Sequence, residues 1–163
     1  MTAEYEVGEA RSDELVQCGE MFRELMRLHA AHPEFFAVTA DVVPRKAAEY
    51  TSMIEQGAGR VFVARSDGRP VAMMIAFARR APEYFQIRDY GYIADVFVEP
   101  EHRRQGLTRR LTDACLGYLA GCGIRSVRLT NAYDNDPAEA TWEALGFRDV
   151  LRVRVRNIGP DGE

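Results

Sequence analysis

Four arginines crowd a single turn of this chain, and their spacing carries its strongest chemical signature. The stretch reads Glu99-Pro100-Glu101-His102-Arg103-Arg104-Gln105-Gly106-Leu107-Thr108-Arg109-Arg110-Leu111 and joins a strand-like run to a helix-like one. The first turn of a helix already presents unpaired N–H groups and partial positive charge. Cations placed there are unfavourable by a few tenths to about 1 kcal/mol each at exposed sites, so a purely structural turn favours Asp or Glu. A bound anion reverses that sign. Gly106 has no Cβ and lets phosphate oxygens approach the amides. The competing reading is a solvated basic face. The stretch fits neither GxxxxGK[ST] nor a GxGxxG after a first strand with an acidic residue downstream.

A second candidate is Asp95, inside Gly91-Tyr92-Ile93-Ala94-Asp95-Val96-Phe97-Val98. Strict alternation puts Ile93, Asp95 and Phe97 on one face and Ala94, Val96 and Val98 on the other. A carboxylate among apolar neighbours is costly to bury, and burial raises its pKa, which suits a general base acting directly or through water. The alternative is a structural aspartate bonded to backbone or to an arginine. On the next run Val127, Leu129 and Asn131 share a face on which Asn131 is the polar member, and Tyr133 and Asp134 follow. Asp95, Asn131 and Tyr133 are therefore the candidate catalytic residues. Cys18, Cys115 and Cys122 have no metal-ligand spacing and no nearby histidine, so they are expected to be thiols of a reducing cytoplasm, with no metal site.

Arg103-Arg104-Gln105-Gly106-Leu107-Thr108 resembles the cofactor-binding signature Q/R-x-x-G-x-G/A of the GNAT (GCN5-related N-acetyltransferase) superfamily. The preceding Ile93–Pro100 resembles that superfamily's strand into the loop. Asn135-Asp136-Pro137-Ala138 with Leu145-Gly146-Phe147 is similar to its later motif, and the three occur in order across about Tyr90–Phe147. The resemblance implies an acetyl-CoA-dependent N-acetyltransferase that passes the acetyl group directly to a primary amine of a small molecule or peptide. It implies cofactor contacts from Arg103, Arg104, Gln105, Gly106, Leu107, Thr108 and Arg109 to the pyrophosphate. It also implies contacts from Phe97 and Val98 to the thioester oxygen and pantetheine arm, and from Asn135 in the later motif. Two positions depart from the pattern. Thr108 stands where Gly or Ala is usual, although its amide is unaffected. Trp142 stands where many members carry a tyrosine that protonates the leaving thiolate, and indole cannot do this. Trp142 packs on the helix's buried face or contacts the cofactor arm. Tyr133, Tyr92 or water are then the candidate acids, and a non-catalytic acyl-CoA sensor is the alternative function.

These residues need a scaffold of alternating elements. Tyr5–Arg11 predicts a strand, and Ser12-x-x-Leu15 opens a helix with Leu15, Cys18, Phe22, Leu25 and His29 at helical spacing. A second helix is expected from Val43-Pro44 to Gln56-Gly57. Arg60–Arg65 and Pro70–Arg79 read as a hairpin around Ser66-Asp67-Gly68-Arg69. Gly91–Val98 is a strand, Gly106–Gly121 a helix, Ser126–Ala132 a strand, Pro137–Leu145 a helix and Phe147–Arg156 a last strand or pair. The implied class is mixed α/β, a single GNAT-like domain over residues 1–163 with a twisted sheet of about six or seven strands and about four helices. Its core is expected over residues 5–156, with a frayed tail at 157–163. The acceptor pocket is expected near His29, His32, Glu34, Phe35 and Phe36.

The 163 residues suit one domain, 47% hydrophobic and 28% charged. The net charge of -4 argues against nucleic acid as a partner of the whole surface. No apolar run approaches the ~20 residues that span a bilayer, so a membrane is not expected as a partner. The acidic Met1–Glu6 does not read as a signal peptide. Lys46 is the only lysine, a bias attributed to base composition. A homodimer is compatible with all of this.

Overall fold

The computed structural model describes residues 4–159 of the chain. Its contacts form two compact units, one up to Thr130 and one from Asn131 onward. The first contains β1 (Tyr5–Glu9), α1 (Leu15–Leu28), α2 (Pro33–Phe36), α3 (Val42–Glu55), β2 (Gly59–Ser66), β3 (Arg69–Arg80), β4 (Asp89–Val98), α4 (Leu107–Gly121) and β5 (Val127–Arg128). Single 3-10 turns at Ser12–Glu14 and Pro100–His102 precede α1 and α4. The second unit contains α5 (Asp136–Ala144).

The sheet runs β1-β2-β3-β4-β5, antiparallel except for the parallel β4–β5 pair. The β2–β3 hairpin closes as expected. Asp67 and Gly68 take φ of 50° and 77°, the positive values that a tight hairpin turn requires. Residues Pro70–Ala76 of β3 are all buried, because helices cover both faces of this central strand. On one face Leu15, Cys18 and Met21 of α1 and Tyr50 of α3 pack with Val61, Val63, Met73, Ile75 and Phe97. On the other, α4 buries Leu107, Leu111, Cys115 and Leu119, and its Thr112 hydroxyl reaches Met74 Sδ at 3.7 Å. The two helices on the first face approach closely at Gly19, where a Cβ would come within 2.7 Å of the Val43 carbonyl oxygen.

Four expectations are corrected. The sheet has five strands among the described residues rather than six or seven, and the one-turn α2 makes the helices five. Residues 147–156 carry no ladder, and the alternating Leu151-Arg152-Val153-Arg154-Val155 is exposed on every residue. The run from Ser126 to Ala132 pairs only at Val127–Arg128, so Asn131 lies beyond β5. At the other end Ser12 does not start α1. It opens a 3-10 turn whose Glu14 carboxylate accepts the Arg11 amide at 2.7 Å. Of the expected tail, residues 160–163 lie outside the described residues.

Candidate active site

The arginine-rich turn is a left-handed cradle. Arg104 and Gly106 take φ of 61° and 72°. Gly106 is the N-cap of α4, with no side chain capping it, and a Cβ built there meets nothing within 4 Å. The first bond of the helix is Arg110 N–H to the Gly106 carbonyl at 3.2 Å, so the amides ahead of it are those that lack an intrahelical acceptor. Alternating backbone of this kind turns successive N–H groups into one concavity suited to an anion. Leu107 is 2% exposed; its side chain belongs to the core and its amide alone faces the turn. Arg104, Gln105 and Arg109 are exposed and Thr108 half-buried.

Arg103 and Arg110 tie the turn to the rest of the first unit. Arg103 Nε donates to the Val98 carbonyl at 3.0 Å and ties the turn to the end of β4. Arg110 donates to the Tyr5 carbonyl at 2.9 Å and ties α4 to β1. The crowding of positive charge therefore serves both the cradle and its attachment.

β4 leads into this turn and is broken once. Met73 pairs with Phe97 and Ile75 with Ala94, so Asp95 and Val96 share the space opposite one β3 residue. Asp95 absorbs this bulge at φ 50°. The expected alternation is corrected in consequence: Ile93 pairs with Ala76 and Ala94 with Ile75, which puts Ile93 on the α4 side, away from Phe97. Beyond the bulge the Asp95 carboxylate meets α3. The Tyr50 hydroxyl donates to Oδ2 at 2.9 Å, and Lys46 Nζ lies 3.0 Å from the same oxygen. Burial pushes the Tyr50 hydroxyl far above the usual phenol range, with the Asp95 charge and hydrogen bond adding to it. β5 pairs only with Gly91 and Tyr92, so among the described residues β4 from Ile93 to Val98 has a ladder on its β3 side alone. Tyr92 spends its hydroxyl on Thr130 Oγ1 at 2.9 Å.

The matching family model is the Acetyltransferase (GNAT) family, over residues 22–147. The chain belongs to the GNAT acetyltransferase family. Mycothiol acetyltransferase of Actinosynnema mirum is 32% identical over 121 residues, 74% of this chain and 37% of that protein. N-alpha-acetyltransferase 30 of Schizosaccharomyces pombe is 37% identical over 63 residues, 39% of this chain and 42% of that protein. The matches thus span about two fifths of these relatives' length. The fold is similar to a predicted acetyltransferase with acetyl-CoA from Clostridium acetobutylicum, with TM-score 0.76 and 13% identity over 94% of this chain and 96% of that one. An aminoglycoside 6'-N-acetyltransferase from Acinetobacter baumannii gives TM-score 0.71 at 21% identity, over 96% and 100% of the two chains.

In this member of the GNAT family the strand, turn and helix holding Asp95, Phe97, Val98 and Arg103–Arg109 are continuous within the first unit. Asn131, Tyr133, Asn135 and Trp142 belong to the second. Asn135 caps α5, its Oδ1 accepting the Ala138 amide at 3.3 Å. Trp142 is 8% exposed and packs edge-on against Phe147, with ring centroids 5.6 Å apart. Phe147 N–H reaches the Trp142 carbonyl and Gly146 N–H the Glu143 carbonyl, each at 3.0 Å, with Gly146 at φ 88°. That pattern is a Schellman closure with its usual apolar contact, and it gives Trp142 a packing duty. Tyr133 is 73% exposed, under the Arg152 guanidinium at 4.8 Å. Asn131 bonds the Ala132 carbonyl at 3.1 Å.

The helical end of the first unit holds a cavity of about 470 Å³ lined by Met26, Arg27, Phe36, Thr39 and Val42 among others. Of the expected polar-aromatic cluster Phe36 lines it, and the His29 ring lies tilted against Phe36 with centroids 4.7 Å apart. Cys18 and Cys115 are buried, and desolvation pushes each thiol up to about 12, which makes them inert as nucleophiles. No helix among the described residues is long and apolar enough to cross a membrane. Lys46 and Tyr50 are the site residues that sequence reasoning missed.

Proposed function

We propose that this chain is a single acetyltransferase domain that moves an acetyl group from acetyl-CoA to a primary amine of a small molecule or peptide in a reducing cytoplasm. The observation that carries the reading is the pair of left-handed residues, Arg104 and Gly106, at the open start of α4. The concavity fits a pyrophosphate, because space lies above Gly106 and side-chain charge lies beside it. Gln105, Gly106, Leu107 and Thr108 would hold the phosphates through their amides, and Arg104 and Arg109 through their side chains. Arg103 would support the turn from Val98.

When bound, acetyl-CoA supplies an activated thioester carbon and a thiol leaving group. The unpaired edge of β4 gives its amide-bearing arm a strand to lie along, with Phe97 and Val98 as the hydrogen-bonding residues. The acceptor nitrogen forms its bond to the acetyl carbon as the carbon–sulfur bond breaks. Asp95 takes the ammonium proton before attack, directly or through water; the nitrogen's second proton passes to solvent as the amide forms, and the thiolate is protonated from Tyr133 or solvent, with Asn131 assisting at the acceptor. The family model, which crosses the boundary at Thr130, supports treating the chain as one domain. The relative named for N-alpha acetylation and the aminoglycoside 6'-N-acetyltransferase support an amine acceptor.

The test is thiol release from acetyl-CoA in the presence of tyramine, glucosamine, spermidine and a tetrapeptide with a free N-terminus. Release with at least one amine is expected. Tight acetyl-CoA binding with no release from any of them would instead make the chain an acyl-CoA sensor.

A further inference from the structure

Lys46 is the chain's only lysine, and its ammonium is held among carboxylates and aromatic rings beside Asp95. Its Nζ lies 3.0 Å from Asp95 Oδ2 and 3.1 Å from Glu49 Oε1. It also stands 4.3 Å over the Phe22 ring and 4.8 Å over the Tyr50 ring, with its side chain 13% exposed. Two carboxylates and two aromatic faces thus enclose one ammonium.

Stability does not account for this arrangement. A left-handed, non-glycine residue costs on the order of 1 kcal/mol, and Asp95 occupies that conformation at φ 50°. Desolvating a carboxylate and an ammonium together commonly offsets the attraction between them. Asp95 bears both costs at once, next to the unpaired edge of β4. Strain concentrated in this way marks sites kept for function.

The bonds are also directional. Tyr50 and Lys46 both engage Oδ2, and the Asp95 side chain remains 16% exposed. Oδ1 is therefore the oxygen left for an incoming group. We propose that Lys46 is a positioning residue, which with Tyr50 anchors Asp95 by Oδ2 so that Oδ1 receives the acceptor's ammonium. This deepens the acyl-transfer reading and rests on it. The substrate class it implies is an amine that binds as a cation and loses its proton on Asp95. Lys46 itself is not the acceptor, because its Nζ is already taken up by the Asp95 and Glu49 carboxylates and the Phe22 and Tyr50 rings.

The experiment uses the full chain and whichever of the four amines turns over fastest. Lys46→Met keeps the stem between Phe22 and Tyr50 and removes the charge. It should lower kcat/KM for the amine by roughly tenfold to a hundredfold, with the calorimetric affinity for acetyl-CoA unchanged. Lys46→Arg should recover most of the loss. The double variant Lys46→Met/Asp95→Asn should be no slower than Asp95→Asn alone, because one residue acts through the other. Thermal melting checks folding, and Tyr50→Phe carries the same test if Lys46→Met does not fold. Native kcat/KM in Lys46→Met, losses that multiply in the double variant, or an acetyl mass shift on Lys46 during turnover would each overturn the proposal. If the native chain binds acetyl-CoA yet turns over no amine, the acyl-transfer reading fails and this role fails with it. If the native chain is active and Lys46→Met is too, only this role fails.

Discussion

Arg104 and Gly106 both hold left-handed backbone, with Gln105 between them, and only the glycine does so without steric cost. The two can therefore be separated by substitution. Gly106→Val forces a β-branched residue into that region and should cost about 1–2 kcal/mol of stability. Its Cβ meets no protein atom within 4 Å, so any further loss falls on the ligand. Arg104→Gly relieves strain and removes the guanidinium, while Arg104→Glu reverses its charge. Acetyl-CoA affinity by calorimetry should fall at least about tenfold (~1.4 kcal/mol) in Gly106→Val and Arg104→Glu, and less in Arg104→Gly. Native affinity in both Gly106→Val and Arg104→Glu would remove the cradle from the cofactor site.

Much of this turn was legible before the structure, because charge at a helix start has one sign and glycine has special backbone freedom. Asp67-Gly68 was legible for the same local reason. The bulge at Asp95 was not. Alternation predicts a facing for every residue, and no glycine in Ile93–Val98 announced a positive φ. Asp95 therefore appeared on the right strand with the wrong neighbours. Lys46 is silent in the sequence, because its partners Phe22 and Asp95 lie far from it along the chain and only the packing of α3 against α1 and β4 brings them together. The Val153-Arg154-Val155 alternation read as a strand, yet periodicity carries no information about whether a pairing edge is present.

Asp95→Asn isolates the proposed base. Asparagine tolerates left-handed backbone and keeps a carbonyl-type oxygen for the Tyr50 hydroxyl, so the bulge should survive. General-base loss is worth roughly 10²–10⁴-fold. Steady-state kinetics should therefore show kcat at least about a hundredfold lower, with acetyl-CoA affinity within a factor of about two. A variant with native turnover and a native pH–rate profile would move the base role to water or Asn131.

Glu14 offers a stability prediction independent of the reaction. Its carboxylate is 5% exposed and takes Arg65 Nε and Nη2 at 2.7 Å each, with the Arg11 amide at 2.7 Å. Arg65, 4% exposed, also donates to the Glu9 carbonyl at 2.8 Å, so one ion pair joins β1, β2 and the start of α1. The Arg65 hydrogen bond holds the Glu14 carboxyl below its ordinary range, and burial opposes this only in part. The folded chain thus keeps Glu14 ionised at a pH where the unfolded chain has begun to bind a proton. Its stabilisation is complete above the unfolded glutamate value of about 4.3 and is lost as pH falls through the lower folded value. Glu14→Gln leaves the buried Arg65 with only the more distant, exposed Glu6 carboxylate at 3.4 Å and should cost about 3 kcal/mol at neutral pH. In denaturant unfolding from pH 7 downward, the gap between native and variant chains should stay constant to about pH 5 and narrow below it. A gap that stays constant through the acid range would show that the Glu14 proton is not linked to folding.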